Sequence, residues 1–176
     1  GQMTRSEIKE LDAGGWFAEE FEGLCFLTLD EALDLISGSA RLNVELKVAD
    51  SNRQELVSLA VDCLERRGIS RSVFVASDQE SIELARRIQP HLEICNLSKQ
   101  PTDTYITRSL SIGCRILQPD NAQVDPKFVQ QAHVHRMEVN PFYANDVREM
   151  RRLMRCNVDG ILTDYPDVLL ALRDEG

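Results

Sequence analysis

From residue 42 onward, short apolar runs recur about every 19 to 31 residues: Leu42 to Val48, Val73 to Ala76, Leu92 to Leu97, Cys114 to Leu117, Arg136 to Val139 and Val158 to Leu162. Each interval leaves room for one helix, and strands joined by a helix pair in parallel through right-handed crossovers. The expected class is therefore α/β, with six strands. Two architectures satisfy it, an open doubly wound sheet and an eightfold barrel. A complete barrel takes about 250 residues, so six units in a chain of 176 are what a parallel (β/α) TIM-type barrel short of two strands would give. No strand is followed by a G-x-G-x-x-G or G-x-x-x-x-G-K-[ST] pattern, which weighs against the nucleotide-binding alternative.

Helix punctuation fills the intervals. Thr28-x-x-Glu31, Ser51-x-x-Gln54 and Ser77-x-x-Glu80 read as capping boxes, Asp125-Pro126 as an N-cap followed by proline, and Asn145 as a further N-cap. Gly38, Gly68 and Gly113 stand where helices should stop. Residues 1–27 lack strand or long-helix periodicity and read as a loop-rich excursion. One domain spanning 1–176 is expected, with βα units over 28–176.

A formal net charge of −9 argues against a sequence-independent nucleic-acid surface, because such binding needs clustered Lys and Arg to release counterions from phosphates. The five cysteines are widely spaced with no C-x-x-C pair, and read as buried thiols of a reducing compartment. No apolar run approaches the ~20 residues of a transmembrane span, so a cytoplasmic protein is expected.

The most informative stretch is Leu42-Asn43-Val44-Glu45-Leu46-Lys47-Val48. Its strict alternation puts Leu42, Val44, Leu46 and Val48 on one face of a strand and Asn43, Glu45 and Lys47 on the other. Parallel strands of α/β proteins are covered on both sides and read apolar throughout, yet here a whole face is polar. If the apolar face meets the helices, Glu45 and Lys47 point into the barrel near the strand's C-terminal end, where barrel active sites lie. A carboxylate and an ammonium so placed could hold a divalent cation and a phosphate oxygen. The alternative is an ion pair on an edge strand facing water.

Other polar residues carry less. His133-x-His135 and His91 fall at helix-to-strand junctions, the barrel end remote from catalysis, and read as solvated. Asp164, with Pro166 two residues later, reads either as a polar group at the mouth or as an acceptor that caps the last helix or fixes its turn. Trp16 and Phe17 could cover an apolar part of a substrate or anchor their loop. Arg148, Arg151, Arg152 and Arg155 read as one helix face paired with nearby acids.

In order along the chain these residues resemble the glycerophosphodiester phosphodiesterase family. Leu11-Asp12-Ala13-Gly14-Gly15-Trp16-Phe17 is similar to its L-D-A-G-S-W-F, Leu42 to Lys47 to its L-N-I-E-L-K, and Val158 to Pro166 to its closing G-V-D-G-I-I-T-D-Y-P. The resemblance covers the C-terminal two-thirds of the family. It implies a barrel of lipid metabolism that hydrolyses glycerophosphodiesters to an alcohol and glycerol 3-phosphate, using a divalent cation, calcium or magnesium, and two histidines as acid and base. By position, Glu45 would be a metal carboxylate and Lys47 would face the substrate phosphate.

The departures are equally specific. The His-Arg pair of the family's first strand, the Glu-x-Asp pair of its second and the following histidine have no counterpart here, so the catalytic histidines are unassigned. One carboxylate does not satisfy calcium or magnesium, which want six or more oxygens, and stable binding of the cation by this chain alone is not expected. The family's W-T-V-N is Met137-Glu138-Val139-Asn140, and the phenylalanine after its fourth-strand serine is Asp78. Six strands of eight leave two open edges, which implies a homo-oligomer or strand exchange. The chain as given is expected to be inactive, or to serve as a silent barrel remnant that binds phosphate or protein.

Overall fold

The computed structural model describes residues 3–36, 40–69, 72–97 and 102–175. The chain divides into two compact units, Gly1–Ala40 and Arg41–Gly176.

The first unit holds two helices, α1 (Arg5–Lys9) and α2 (Leu29–Ile36), and a 3-10 turn at Glu19–Phe21. Thr4 and Glu7 form a capping box at α1, and Thr28 and Glu31 form the expected one at α2. Glu31 also pairs with Lys9, and with Arg5 at 3.2 Å. The Lys9 ammonium first, and the Thr28 amide after it, bring the Glu31 carboxyl down to about 2. Between the helices Asp12 accepts from the amides of Gly14, Gly15 and Gly23, folding the loop around one carboxylate.

The second unit is an alternating α/β array. Its five strands are β1 (Leu42–Glu45), β2 (Val73–Ser77), β3 (Glu93–Asn96), β4 (Ile116–Leu117) and β5 (Glu138–Val139). Between and after them run α3 (Arg53–Arg66), α4 (Gln79–Ile88), α5 (Thr102–Ser111), α6 (Pro126–Val134), α7 (Val147–Arg155) and α8 (Pro166–Asp174). The strands form one parallel sheet in sequential order, β1 to β5.

The sixth expected strand, Val158 to Leu162, runs beside β5 but forms no regular ladder. Three backbone hydrogen bonds hold it: Asp159 N–H to Val139 C=O, Leu162 N–H to Pro141 C=O and Ala144 N–H to Leu162 C=O. Gly160 lies against Asn140, where an added Cβ would meet Oδ1 at 2.7 Å and the Asn140 side chain would have to shift.

Three expected caps are displaced by one residue. Asn52 precedes α3 without a side-chain cap bond, Asp78 caps α4 through the Ser81 amide, and Asp146 caps α7 through the Glu149 amide. In the last two cases a carboxylate one position on outcompetes the hydroxyl or amide for the positive end of the helix. Asp125 caps α6 with Pro126 at the first turn as expected, and Gly68 and Gly113 adopt positive φ after α3 and α5. Gly38 lies outside the described residues.

The two sides of the sheet differ. Ile94, Leu117 and Val139 face the helices: Ile94 packs with Ile82 of α4, while Leu117 and Val139 join Phe128, Val129, Met150 and Leu153 in the main core. On the opposite side Phe74, Ala76, Cys95 and Ile116 cluster with one another, strand residue against strand residue. A side buried only against its own sheet implies strong curvature, and Arg41 measures it. The ladders align Glu138 with Ile116, Cys95, Ala76 and Glu45, yet the Glu138 carboxylate meets Arg41, four residues before Glu45, at 2.7 Å. Glu93, aligned with Phe74 and Asn43, also meets Arg41, two residues before Asn43, at 2.5 Å.

One residue of slip per strand step is the stagger of an eight-stranded barrel of shear eight. In a flat sheet β1 and β5 would stand about 19 Å apart, beyond one arginine. The unit is thus an arc of a parallel (β/α) barrel, with Arg41, Glu93 and Glu138 forming one layer of its floor.

Candidate active site at the strand C-termini

Asn43 and Glu45 lie in register with Phe74 and Ala76, which places Glu45 on the inner, strand-only side at the C-terminal end of β1. Its side chain is 47% exposed; that of Lys47 is 84% exposed, with Nζ 4.0 Å from the Glu45 carboxylate. The pair is loose and open to water, and among the described residues β1 pairs only with β2. Between them Leu46 is buried and held twice: its N–H donates to Ala76 C=O at 2.9 Å, and its C=O accepts from the buried Ser77 hydroxyl at 2.6 Å. The backbone that carries Glu45 and Lys47 is therefore fixed even though their side chains are free.

Around this edge three more locks set the mouth. Asp78 stands at 2.5 Å from Arg53, which also binds Asp50 and the Ser81 hydroxyl. Burial alone would raise the Asp78 carboxyl, but the Ser81 amide and hydroxyl and the Arg53 guanidinium outweigh it and hold it below the ordinary aspartate value. The buried Tyr105 hydroxyl donates to Asn96 C=O and accepts from Gln118 N–H, tying the ends of β3 and β4. Asn145 donates to Asp164 and accepts from the Asp164 amide and the Thr163 hydroxyl, so Asp164 fixes its turn and α8 starts without a side-chain cap.

The remaining candidates lie elsewhere. His133 is not merely solvated: its Nε2 is 2.9 Å from Asp159, which also accepts from Val139 N–H at the strand N-termini. His91 is exposed at the α4–β3 junction and not brought to the mouth. Trp16 donates to Ala13 C=O and meets Phe17 edge-on at 5.7 Å, with both rings largely exposed. Arg152 spends its guanidinium on Glu149 and on the carbonyls of Asn121 and Val124, and Arg151 pairs with Glu175. Cys63, Cys95, Cys114 and Cys156 are buried and, like the exposed Cys25, form no disulfide among the described residues.

Sequence reasoning missed Ser77, Asp78 and Asn145 as supports of the mouth and Arg41 as the floor tie. Arg41 was within reach, since it shares the parity of Asn43 and Glu45.

The family model for the glycerophosphoryl diester phosphodiesterase family matches residues 1–168. The chain belongs to that family. A glycerophosphodiester phosphodiesterase of Bacillus altitudinis is 28% identical over 181 aligned residues, which cover 98% of this chain and 72% of that protein. The crystal structure of a glycerophosphodiester phosphodiesterase from Agrobacterium tumefaciens superposes with a TM-score of 0.80 at 26% identity, covering 97% of this chain and 72% of the other. A phosphodiesterase of Oleispira antarctica in complex with the product sn-glycerol 3-phosphate gives a TM-score of 0.87 at 23% identity, covering 98% and 71%, and speaks to the fold alone.

A divalent cation fits poorly with the family residues present. Among the described residues no three His, Cys, Asp or Glu side chains converge in a way that could hold a metal ion. Glu45 offers one carboxylate where calcium or magnesium needs several protein oxygens. Among the described residues no helix is long and apolar enough to cross a membrane.

Proposed function

We propose that this chain is the phosphate-facing part of a glycerophosphodiester phosphodiesterase, an enzyme that hydrolyses glycerophosphodiesters to an alcohol and glycerol 3-phosphate. The observation that carries this is the Glu45-x-Lys47 pair, set by a double clamp on Leu46 at the inner C-terminal edge of a family barrel. In this reading Lys47 meets a non-bridging phosphate oxygen as a point charge, and Glu45 is one carboxylate of a metal set whose other members are outside these 176 residues. The proton-transferring histidines are outside them as well. Residues 1–176 then make one partial barrel domain, with 1–27 as its excursion. The open edge of β1 favours pairing with another strand, by oligomerisation or strand exchange. Buried cysteines outside any disulfide favour a cytoplasmic setting.

A second reading is supported by the lone carboxylate: a catalytically silent barrel that binds phosphate-bearing molecules or protein. One assay separates them. Release of glycerol 3-phosphate from glycerophosphodiesters, with calcium or magnesium, is measured for this chain and for a version extended by a segment bearing the family's His-Arg and Glu-x-Asp pairs. The enzyme reading expects turnover only in the extended version, abolished by Lys47→Met. An extended version that folds yet stays silent favours the second reading, and turnover by the 176 residues alone refutes the assignment of essential groups elsewhere.

A further inference from the structure

At the opposite end of the strands, where α4 leads into β3 and α5 into β4, a cavity of about 400 Å³ is lined by Arg86, His91, Glu93, Gly113 and Arg115 among others. Its charge runs against that of the chain, which is −9 overall. Arg86, in the last turn of α4, donates from Nη1 to Gly113 C=O at 3.3 Å. Arg115 donates from Nη1 to His135 C=O at 2.7 Å. Among the described residues each guanidinium is oriented by a single hydrogen bond and keeps its other N–H donors unspent.

Neither arginine has a carboxylate within ion-pair distance among the described residues; the acids nearby are committed elsewhere. Glu93, the one carboxylate lining the cavity, is bound to Arg41 at 2.5 Å. Gly113, at φ 73°, turns the chain tightly here and presents its carbonyl to Arg86. Two pre-oriented forks and an imidazole around one cavity are the donor set that recognises a tetrahedral oxyanion, which accepts from several N–H groups at once.

We infer that this cavity binds a phosphate monoester or inorganic phosphate at the floor of the barrel, apart from the mouth that holds Glu45 and Lys47. Such a site gives the protein a way to sense the phosphate species in its surroundings without occupying the mouth. The inference stands on the floor residues alone and does not need the mouth to be catalytic.

The test is calorimetric titration of the 176-residue chain with inorganic phosphate and, separately, sn-glycerol 3-phosphate, against sodium chloride at matched ionic strength. Saturable binding is expected, weakened about tenfold or more by the double variant Arg86→Gln/Arg115→Gln and changed less than about twofold by Arg151→Gln, an arginine of α7 outside the cavity. Preference for one probe tells whether the ester's alcohol contributes. The charge-preserving pair Arg86→Lys/Arg115→Lys guards against misfolding: with an unchanged urea midpoint it still loses affinity, because an ammonium lacks the planar fork. Absence of saturable binding, or binding that survives the double glutamine variant, overturns the floor site. Binding lost only in Lys47→Met assigns the anion to the mouth and overturns the floor site while leaving the proposed function intact.

Discussion

The two ends of the barrel arc are built to opposite rules. At the floor, Arg41 stitches β1 to β3 and β5 through Glu93 and Glu138 and lies over the Phe74 ring at 5.1 Å. At the mouth, the exposed Glu45 and Lys47 side chains stand 4.0 Å apart, and the rigidity is in the backbone beneath them. The Arg41 layer of the floor spends its charges on holding the curvature, whereas the Glu45 and Lys47 pair at the mouth engages its charges only loosely. Barrels in general put stability at the N-terminal ends of their strands and chemistry at the C-terminal ends, and this chain keeps that division with only an arc of the barrel present.

If the division is right, Arg41→Met should be the costliest charge change. It leaves Glu93 and Glu138 confronting each other inside the curl; because all three groups are partly exposed, a loss of about 2 kcal/mol is expected in urea denaturation. A loss below about 0.5 kcal/mol would put the curvature in the ladders and apolar contacts and not in the charge layer.

A smaller effect sits at the mouth. The folded Asp78 carboxyl lies below its unfolded value, near 4, so the stability it contributes is complete above pH 4 and is lost as pH falls through the lower folded value. Between pH 5 and pH 3 the parent should therefore lose more stability than Asp78→Asn, which has no proton to take up at that position. Equal losses would show that the Ser81 and Arg53 contacts together do not hold the carboxyl below its unfolded value.

The smallest effect belongs to the pair on which the proposed function rests. Glu45→Gln and Lys47→Met should each shift stability by less than about 0.5 kcal/mol, since an exposed pair at this distance contributes little. A larger shift in thermal or urea unfolding would make Glu45 and Lys47 a structural pair and blur the contrast between the ends.

The class and the rim residues were legible because their signals are local. Alternation over Leu42 to Val48 placed Glu45 and Lys47 on one face, and Asp125-Pro126 announced α6. The sixth strand was over-read, since an apolar run does not say whether its partner is regular: β5 itself is two residues long, and Gly160 sits against Asn140 where a ladder would otherwise continue. The caps at Asp78 and Asp146 were missed by one residue because a carboxylate beside a hydroxyl or amide makes two registers equally plausible until packing chooses. The Arg41 layer could not be seen at all, because its members are 52 and 97 residues apart and meet only through curvature.

The capping pattern of the helices leaves a mark on how anything charged arrives. Asp78, Asp125 and Asp146 all sit at helix N-termini, hence at the mouth, and Asp50, Asp120 and Asp164 lie in the same ring of loops. If Lys47 receives a phosphate as proposed, an anion on its way there climbs through their combined field. Added salt shortens the range of that field more than it weakens the final contact, so capture at the mouth would then quicken as ionic strength rises, the reverse of the usual steering.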